Sequence, residues 1–369
     1  KNKVMIKKSI LSLAATFCCL VLMNAQQTIA VMNSSTKQVL QLSDLDGSVV
    51  NLSYIDTSPQ SPGTIKGIAQ IDDKIWITDQ TQDRIYIYSN SGSYESTITG
   101  SLDNIRGLNV VNNEVWVANE GSNNGATANS VVRFSKAGVL LGSYPTILSP
   151  FDAFDIGSGN ALVSSFSSNG IAKLSYDGTV STPFVPAAVL SNPEQMNFNT
   201  TGNIIVAVFG SLGSNPAGIY EYTPSGTMVN KWPISTGSVR GVIAAQNGNY
   251  LVSTSTGVYS LNPTTSVSTL IVAGNFQFFT KLSTNLAVNE NAGISAKIYP
   301  NPVKDVLNIS NNKDIDQVMI YSATGQLQMQ QKVKGNSAQL DLSKLSSGMY
   351  LLKIQDKSLK TQTLKVIKK

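Results

Sequence analysis

From Ile65 to Val272, apolar and polar residues alternate with a period of two, in short runs separated by Gly, Ser, Asn and Asp. That pattern predicts half-buried β-strands joined by tight turns. The runs come in fours. "IKGIAQI" (65–71), "IWITD" (75–79), "RIYIYSNSG" (84–92) and "YESTIT" (94–99) form one set, and "IRGLNVV" (105–111), "VWVAN" (115–119), "VVRFSKAG" (131–138) and "VLLGSYP" (139–145) form the next. Three further sets start at "FDAFDIG" (151–157), "PEQMNFN" (193–199) and "VRGVIAA" (239–245). Gly92, Gly138, Gly178 and Gly226 stand between the third and fourth runs, where a hairpin needs a residue that tolerates positive φ. Four strands at a spacing of about 40 to 50 residues predict propeller blades. "TIAVMNS" (28–34), "QVLQLSDLDG" (38–47) and "SVVNLSYI" (48–55) supply three strands of one more blade, whose first strand, "FQFFTKL" (276–282), lies at the far end. Pairing the two ends closes the ring and removes its exposed edges. The expectation is an all-β chain, a six-bladed β-propeller over residues 26–283.

Composition adds an address and removes several chemistries. Lys1, Lys3, Lys7 and Lys8 precede an apolar run from Ile10 to Met23, and Ala25 offers a small residue, which predicts a secretory signal peptide over residues 1–25. The run is short for a membrane span, so no transmembrane segment is expected in the mature chain. Cys18 and Cys19, the two cysteines of the sequence, lie inside it, and the sequence has no histidine. Thiol nucleophiles, disulfides, Cys/His zinc sites and imidazole acid–base catalysis are therefore not available to residues 26–369. The net charge of +5 is uneven. Residues 26–283 hold 11 basic and 16 acidic residues, a net of −5, which argues against nucleic acid as the partner. Residues 284–369 hold 12 lysines and 6 acids, a net of +6.

"TNLAVNENAGISA" (284–296) breaks the repeat and reads as a linker. "KIYPNPVKDVLNI" (297–309) then opens a second series of short strands, with Pro300 and Pro302 suited to the entry of an edge strand. About seven strands over 297–369 predict a small Ig-like β-sandwich. This tail resembles the type A C-terminal sorting domain of the type IX secretion system of Bacteroidota. The resemblance rests on Tyr299-Pro300-Asn301-Pro302, Leu307-Asn308-Ile309, the hairpin at Tyr321 to Gln326 with Gly325, Leu340-Asp341-Leu342-Ser343 leading to Gly348-Met349-Tyr350, and the terminal Lys365 to Lys368-Lys369. It implies export to the outside of the cell, recognition by the outer-membrane translocon and sortase machinery, and removal of the tail near the linker.

The repeat "IKGIAQIDDKIWITDQTQDRIYIYSNSG" (65–92) resembles NHL-type propeller repeats, which serve as scaffolds, binding modules and enzymes. In equivalent positions of the first strands stand Lys66, Arg106, Asp152, Glu194, Arg240 and Gln277. These are expected to ring one mouth of the channel. The long loops "EGSNNGATANS" (120–130) and "GSLGSNPAG" (210–218) should open on the same face. Two uses compete. The residues form a binding site for a glycan or a peptide, or they neutralise one another as rim ion pairs between neighbours, Arg106 with Asp152 and Glu194 with Arg240. Trp76 and Trp116 lie on second strands and are expected in the core between blades. Lactonase-like six-bladed hydrolases offer a further comparison: their resemblance implies a Ca²⁺ site, for which Asp79, Asn119, Asp152 and Glu194 are the candidate ligands. Streptogramin-B-lyase-like propellers are similar too, but rely on histidine. A surface or adhesion component stays open beside these. The sequence favours a binding protein over an enzyme, with no resident cofactor.

Overall fold

The computed structural model describes residues 27–283, 296–311, 313–322, 326–357 and 361–369. The expected signal peptide, almost all of the expected linker, and Gly325 lie outside the described residues. Among the described residues there is one 3₁₀ turn, Ser58–Gln60; all the rest of the regular structure is β-strand. No helix among them is long and apolar enough to cross a membrane.

Six four-stranded antiparallel sheets precede the tail. The second runs Ile65–Ile71, Lys74–Asp79, Arg84–Ser89, Tyr94–Thr99, and the third repeats it from Ile105–Val111. The fourth, fifth and sixth begin at Pro150–Gly157, Ser191–Phe198 and Val239–Ala244. In the first, Phe276–Leu282 pairs with Thr28–Asn33, so the two ends share one sheet. The first strand of each sheet packs against the first strand of the next, from 65–71 round to 276–282 and back, so the sheets form a closed ring. This is a β-propeller, followed by a second all-β unit.

The ring holds because each sheet buries both faces against its neighbours. Trp76, Ile85 and Ile87 of the second sheet pack on Leu108, Val115, Val117 and Phe134 of the third. Trp116 sits in the next interface with Ala153, Val163 and Leu174. Both tryptophans are thus core, and burying a side chain of that size contributes about 25 cal/mol per Å². The hairpin glycines hold the backbone the alternation requires: Gly92, Gly138, Gly178 and Gly226 have φ of +86°, +83°, +71° and +90°. The glycines of the first strands have another reason. A Cβ on Gly67 would lie 2.5 Å from the carbonyl oxygen of Arg106, and one on Gly107 would lie 2.5 Å from Asp152 Oδ1. The sheets converge there, and only glycine lets adjacent first strands approach.

Hydroxyls lock the same zone. Thr78 Oγ1 accepts from Gly67 N at 2.7 Å and donates to the carbonyl of Arg106 in the next sheet. Ser164 Oγ accepts from Asp152 N at 3.1 Å and donates to the carbonyl of Glu194 at 2.8 Å. Each latch joins neighbouring sheets with buried polar groups satisfied on both sides.

The tail is two packed sheets, one of three strands and one of four, around Leu307, Ile309, Val318, Ile320, Leu340, Leu352 and Val366. The prolines close the edge strand Lys297–Tyr299 and do not open it. Both X–Pro bonds there, Tyr299–Pro300 and Asn301–Pro302, are cis.

Candidate functional site

The register explains why the first-strand charges point inward. Each first strand slips against its neighbour: between Ile65 and Ile68, Ile105 and Leu108, Pro150 and Asp152, Pro193 and Met196, and Val239 and Gly241. The closing sheet slips between Val31 and Asn33, opposite Phe279 and Phe276. Bulges of this kind re-aim side chains. The residues they turn out are Lys66, Arg106, Phe151, Glu194 and Arg240, with Gln277 and Phe278 in the closing sheet. Five of the six sequence candidates are in this set. Asp152 is not, because the slip in the fourth sheet falls one residue earlier, on Phe151.

Six sheets in a ring make three pairs of opposites. Lys66 in the second sheet reaches Glu194 in the fifth, with Nζ 3.0 Å from Oε2, and both side chains are almost fully buried. Phe151 in the fourth sheet meets Phe278 in the first at 6.1 Å between ring centres. Lys66 Nζ lies 4.6 Å from the Phe151 ring centre. An ion pair and two aromatic rings therefore plug the axis at this level. The third opposed pair is Arg106 and Arg240, two like charges on either side of the plug.

Of the two expected neighbour pairs, Arg106 with Asp152 does not form, and Glu194 with Arg240 forms only as a long contact. Arg106 pairs with Glu120, the first residue of the long loop, and also donates to Ser149 Oγ at 2.9 Å and the carbonyl of Pro150 at 3.2 Å. Ser149 donates in turn to Glu120 at 2.6 Å. Arg240 does approach Glu194, but at 3.9 Å and with its side chain 22% exposed, so the main partner of Glu194 is Lys66. These charges are also buried more deeply than rim pairs would be: Lys66, Arg106, Glu194 and Gln277 are each 5% exposed or less. The cause is the bulge, which tips the side chains under the loops.

The aromatic floor was not legible as part of a site. Arg106 lies over Phe151 at 4.7 Å and Phe166 at 5.7 Å, and Arg240 lies over Phe209 at 5.4 Å. Phe151 stacks on Phe166 at 5.7 Å, and Phe166 meets Phe209 at 6.4 Å. Phe166 follows the second strand Asn160–Ser165, and Phe209 is the penultimate residue of the second strand Ile204–Gly210, where the loops open. That placement was the available signal.

Burial sets the electrostatics. Desolvation pushes Lys66 down to about 8, resisted by the attraction of Glu194 and reinforced by repulsion from Arg240 and Arg106. Burial likewise lowers Arg106 and raises Glu194. Asp152 is pushed up to about 8 by burial, although Met196 N and Asn109 Nδ2 donate to its two oxygens at 3.0 and 2.9 Å. Three groups in the plug zone are buried and have no hydrogen-bond partner among the described residues: Arg106 Nε, Arg240 Nε and Gln277 Oε1.

The candidate calcium ligands are not brought together. Asp79 caps its own loop, accepting from Gly63 N at 2.8 Å and Thr64 N at 3.0 Å. Asn119 does the same in the next sheet, accepting from Asp103 N at 2.7 Å and donating to the carbonyls of Gly121 and Thr127 at 2.9 Å. Asp152 faces the interior between sheets. Among the described residues no three acidic side chains converge as a metal site would require.

In the tail, the described candidates collect at one end. Asn301 Nδ2 donates to the carbonyl of Lys365 at 2.8 Å, and its Oδ1 accepts from Ile367 N at 2.9 Å. Val303 N donates to the carbonyl of Ile367, and Lys369 N to that of Val303. The segment from Tyr299 to Pro302 thus leads into a cover for the free edge of the terminal strand Thr361–Lys368. Gly348 lies opposite Lys368 in the ladder, and Tyr350 opposite Val366. Tyr350 donates to the carbonyl of Ser346 at 2.9 Å.

These observations define an exported β-propeller with a delivery domain at its C-terminal end. Residues 297–369 match the secretion system C-terminal sorting domain, the tail recognised by the type IX secretion machinery, which marks the chain for the cell surface or the extracellular space. The propeller has structural relatives at low identity. A protein of unknown function from Bacteroides caccae aligns with a TM-score of 0.50 at 12% identity, over 70% of this chain and 99% of that one. A chain of a nidogen/laminin complex aligns with a TM-score of 0.53 at 12% identity, over 69% and 98%. At that identity the likeness is one of fold. No curated protein matches the sequence.

Proposed function

We propose that this chain is a secreted binding protein whose propeller holds an extracellular ligand, a glycan or a peptide, at its charged mouth, while the tail delivers it through the type IX pathway. The carrying observation is the cluster of buried Lys66, Arg106 and Glu194 with half-buried Arg240 over a floor of phenylalanines. Burying charge costs stability unless it is well paired, and hydrophobic residues of similar volume would fill an axis more favourably. A fold that keeps such a cluster beneath two long loops has the anatomy of a recognition site: an apolar floor and a few placed polar groups. The domain arrangement in this reading is a mature propeller over residues 26–283, a linker over 284–296 near which the tail is removed, and a sorting sandwich over 297–369. The test is an array of glycans and peptides probed with the mature chain and with Phe209→Ala. Specific binding that the variant loses supports the reading; an array on which the mature chain binds nothing above background rejects it.

A further inference from the structure

Within that reading, on which this inference rests, the mouth's chemistry narrows the ligand. Arg106 and Arg240 stand on opposite sides of the ring, and each keeps an Nε–H that no described residue accepts, while Arg240 has no carboxylate of its own. Arg106 shares Glu120 with Ser149, and its Nε is buried without a partner. Arg240 reaches Glu194 at 3.9 Å, while that carboxylate is already held by Lys66 at 3.0 Å, and the Nε of Arg240 is also unpartnered. Three cations therefore share two carboxylates. A guanidinium fork with a spare N–H matches a planar carboxylate. Between the two arginines lie Phe166 and Phe209, partly exposed faces suited to the apolar side of a ring. Gln277 Oε1, 3% exposed overall and unpartnered, is an acceptor, so it calls for a hydroxyl donor and not for a second anion. The loops above, 120–129 and 211–217, are rich in Ser, Asn and Gly, which exchange hydrogen bonds with hydroxyls in both directions.

We infer that the mouth is a subsite for an acidic saccharide: the sugar's carboxylate sits between Arg240 and Arg106, its ring lies on Phe166 and Phe209, and a hydroxyl donates to Gln277. An acidic peptide would satisfy the arginines but would leave the paired demand for a flat ring and a hydroxyl donor unmet.

The test is isothermal titration of the mature chain with an oligogalacturonate, with its methyl ester, and with oligoglutamate. The acid sugar is expected to bind at least tenfold more tightly than its ester, with affinity falling as NaCl is raised. Arg240→Gln should abolish that preference, and Arg240→Lys should keep part of it. Equal affinity for acid and ester, tighter binding of oligoglutamate, or an unchanged preference in Arg240→Gln each overturns the inference. Binding of the ester alone, lost in Phe209→Ala, would overturn the acidic subsite yet leave the mouth as a saccharide site. Absence of binding to any saccharide or peptide would remove the binding reading itself.

Discussion

Replacing Glu194 with glutamine isolates the ion pair at the axis. Lys66 Nζ sits 3.0 Å from the carboxylate with both groups out of water. At that separation and an effective dielectric constant of about 20, the attraction is on the order of 5 kcal/mol. Desolvation outweighs it: even with that attraction included, Lys66 falls from 10.5 to about 8, a net of roughly 3 kcal/mol at about 1.4 kcal/mol per unit. Glu194→Gln keeps the shape and removes the charge, leaving Lys66 facing Arg240 and Arg106 alone. The expected loss at pH 7 is about 3–5 kcal/mol, the usual result of stranding one member of a buried pair. Lys66→Met should cost less, because Arg240 remains beside Glu194 at 3.9 Å.

The loss should also depend on pH. Lys66 has a folded pKa below its unfolded one, so between about 8 and 10.5 the unfolded chain holds more protons and stability rises with pH. In Glu194→Gln the folded pKa drops further, so the rise begins at lower pH and is larger. Above about pH 8 Lys66 is neutral in both folded proteins and their slopes match, so the gap should shrink by up to about 1.4 kcal/mol between pH 7 and about 8 and then stay level. All three tryptophans, Trp76, Trp116 and Trp232, are buried in the propeller. Urea unfolding followed by their fluorescence reads that unit within the full mature chain. A gap that stays flat from pH 6 to 10, or a loss under about 1 kcal/mol at pH 7, would show that charge at the axis is not what Glu194 supplies.

Three further outcomes follow from contacts elsewhere. Gly107→Ala should destabilise the propeller by about 1–3 kcal/mol in the same urea assay, since its Cβ would meet Asp152 Oδ1 at 2.5 Å and the Phe151 carbonyl at 2.8 Å. Asp152 has a folded pKa of about 8 against an ordinary 3.8, so between those values the folded state holds more protons and Asp152 lowers stability as pH rises. Asp152→Asn should flatten that slope in a pH series of melting curves, while losing about 1–3 kcal/mol near pH 5 because its amide turns a donor toward Met196 N or Asn109 Nδ2. Asn301→Ala removes both bonds to the terminal strand, so hydrogen exchange at the Ile367 amide should accelerate by one to two orders of magnitude, about 1–3 kcal/mol of lost protection, with the propeller amides unchanged.

The strands were legible because their signal is local. Alternation at Ile85 to Tyr88, a glycine at position 92 and apolar residues on both faces of the second strands are consequences of burial on two sides, and each can be read within a dozen residues. The inward charges were legible for the same reason, since polar residues recur once per repeat at the same place in the first strand, beside a glycine in three of the six. What could not be read was their partner. In a ring, a long side chain can reach the opposite strand as easily as the next one, and Lys66 finds Glu194 from 128 positions away in sequence. The displacement of Asp152 by Phe151 had the same origin. A bulge one residue earlier exchanges which side chain meets the axis, and Pro150 at the head of that strand is the one local sign of a changed register.

The phenylalanine floor shows why the two halves of the site differ in legibility. An apolar residue after a second strand looks like core, and Phe151 and Phe278 are core in the sense of burial. Their second role appears only when a cation stands over the ring, as Lys66 and Arg106 do over Phe151. The arrangement is energetically odd for a scaffold. If the axis served stability alone, apolar residues in place of Lys66 and Glu194 would do as well or better, because desolvating two charges offsets most of their attraction. A Lys66→Met, Glu194→Leu double variant should therefore be at least as stable as the native chain. By leaving Arg240 without its carboxylate, it should also change the ligand preference of the mouth. Gain of stability with a stronger acid-over-ester preference would separate what the charges do for the fold from what they do for recognition. A double variant as unstable as Glu194→Gln would instead make the pair part of the framework.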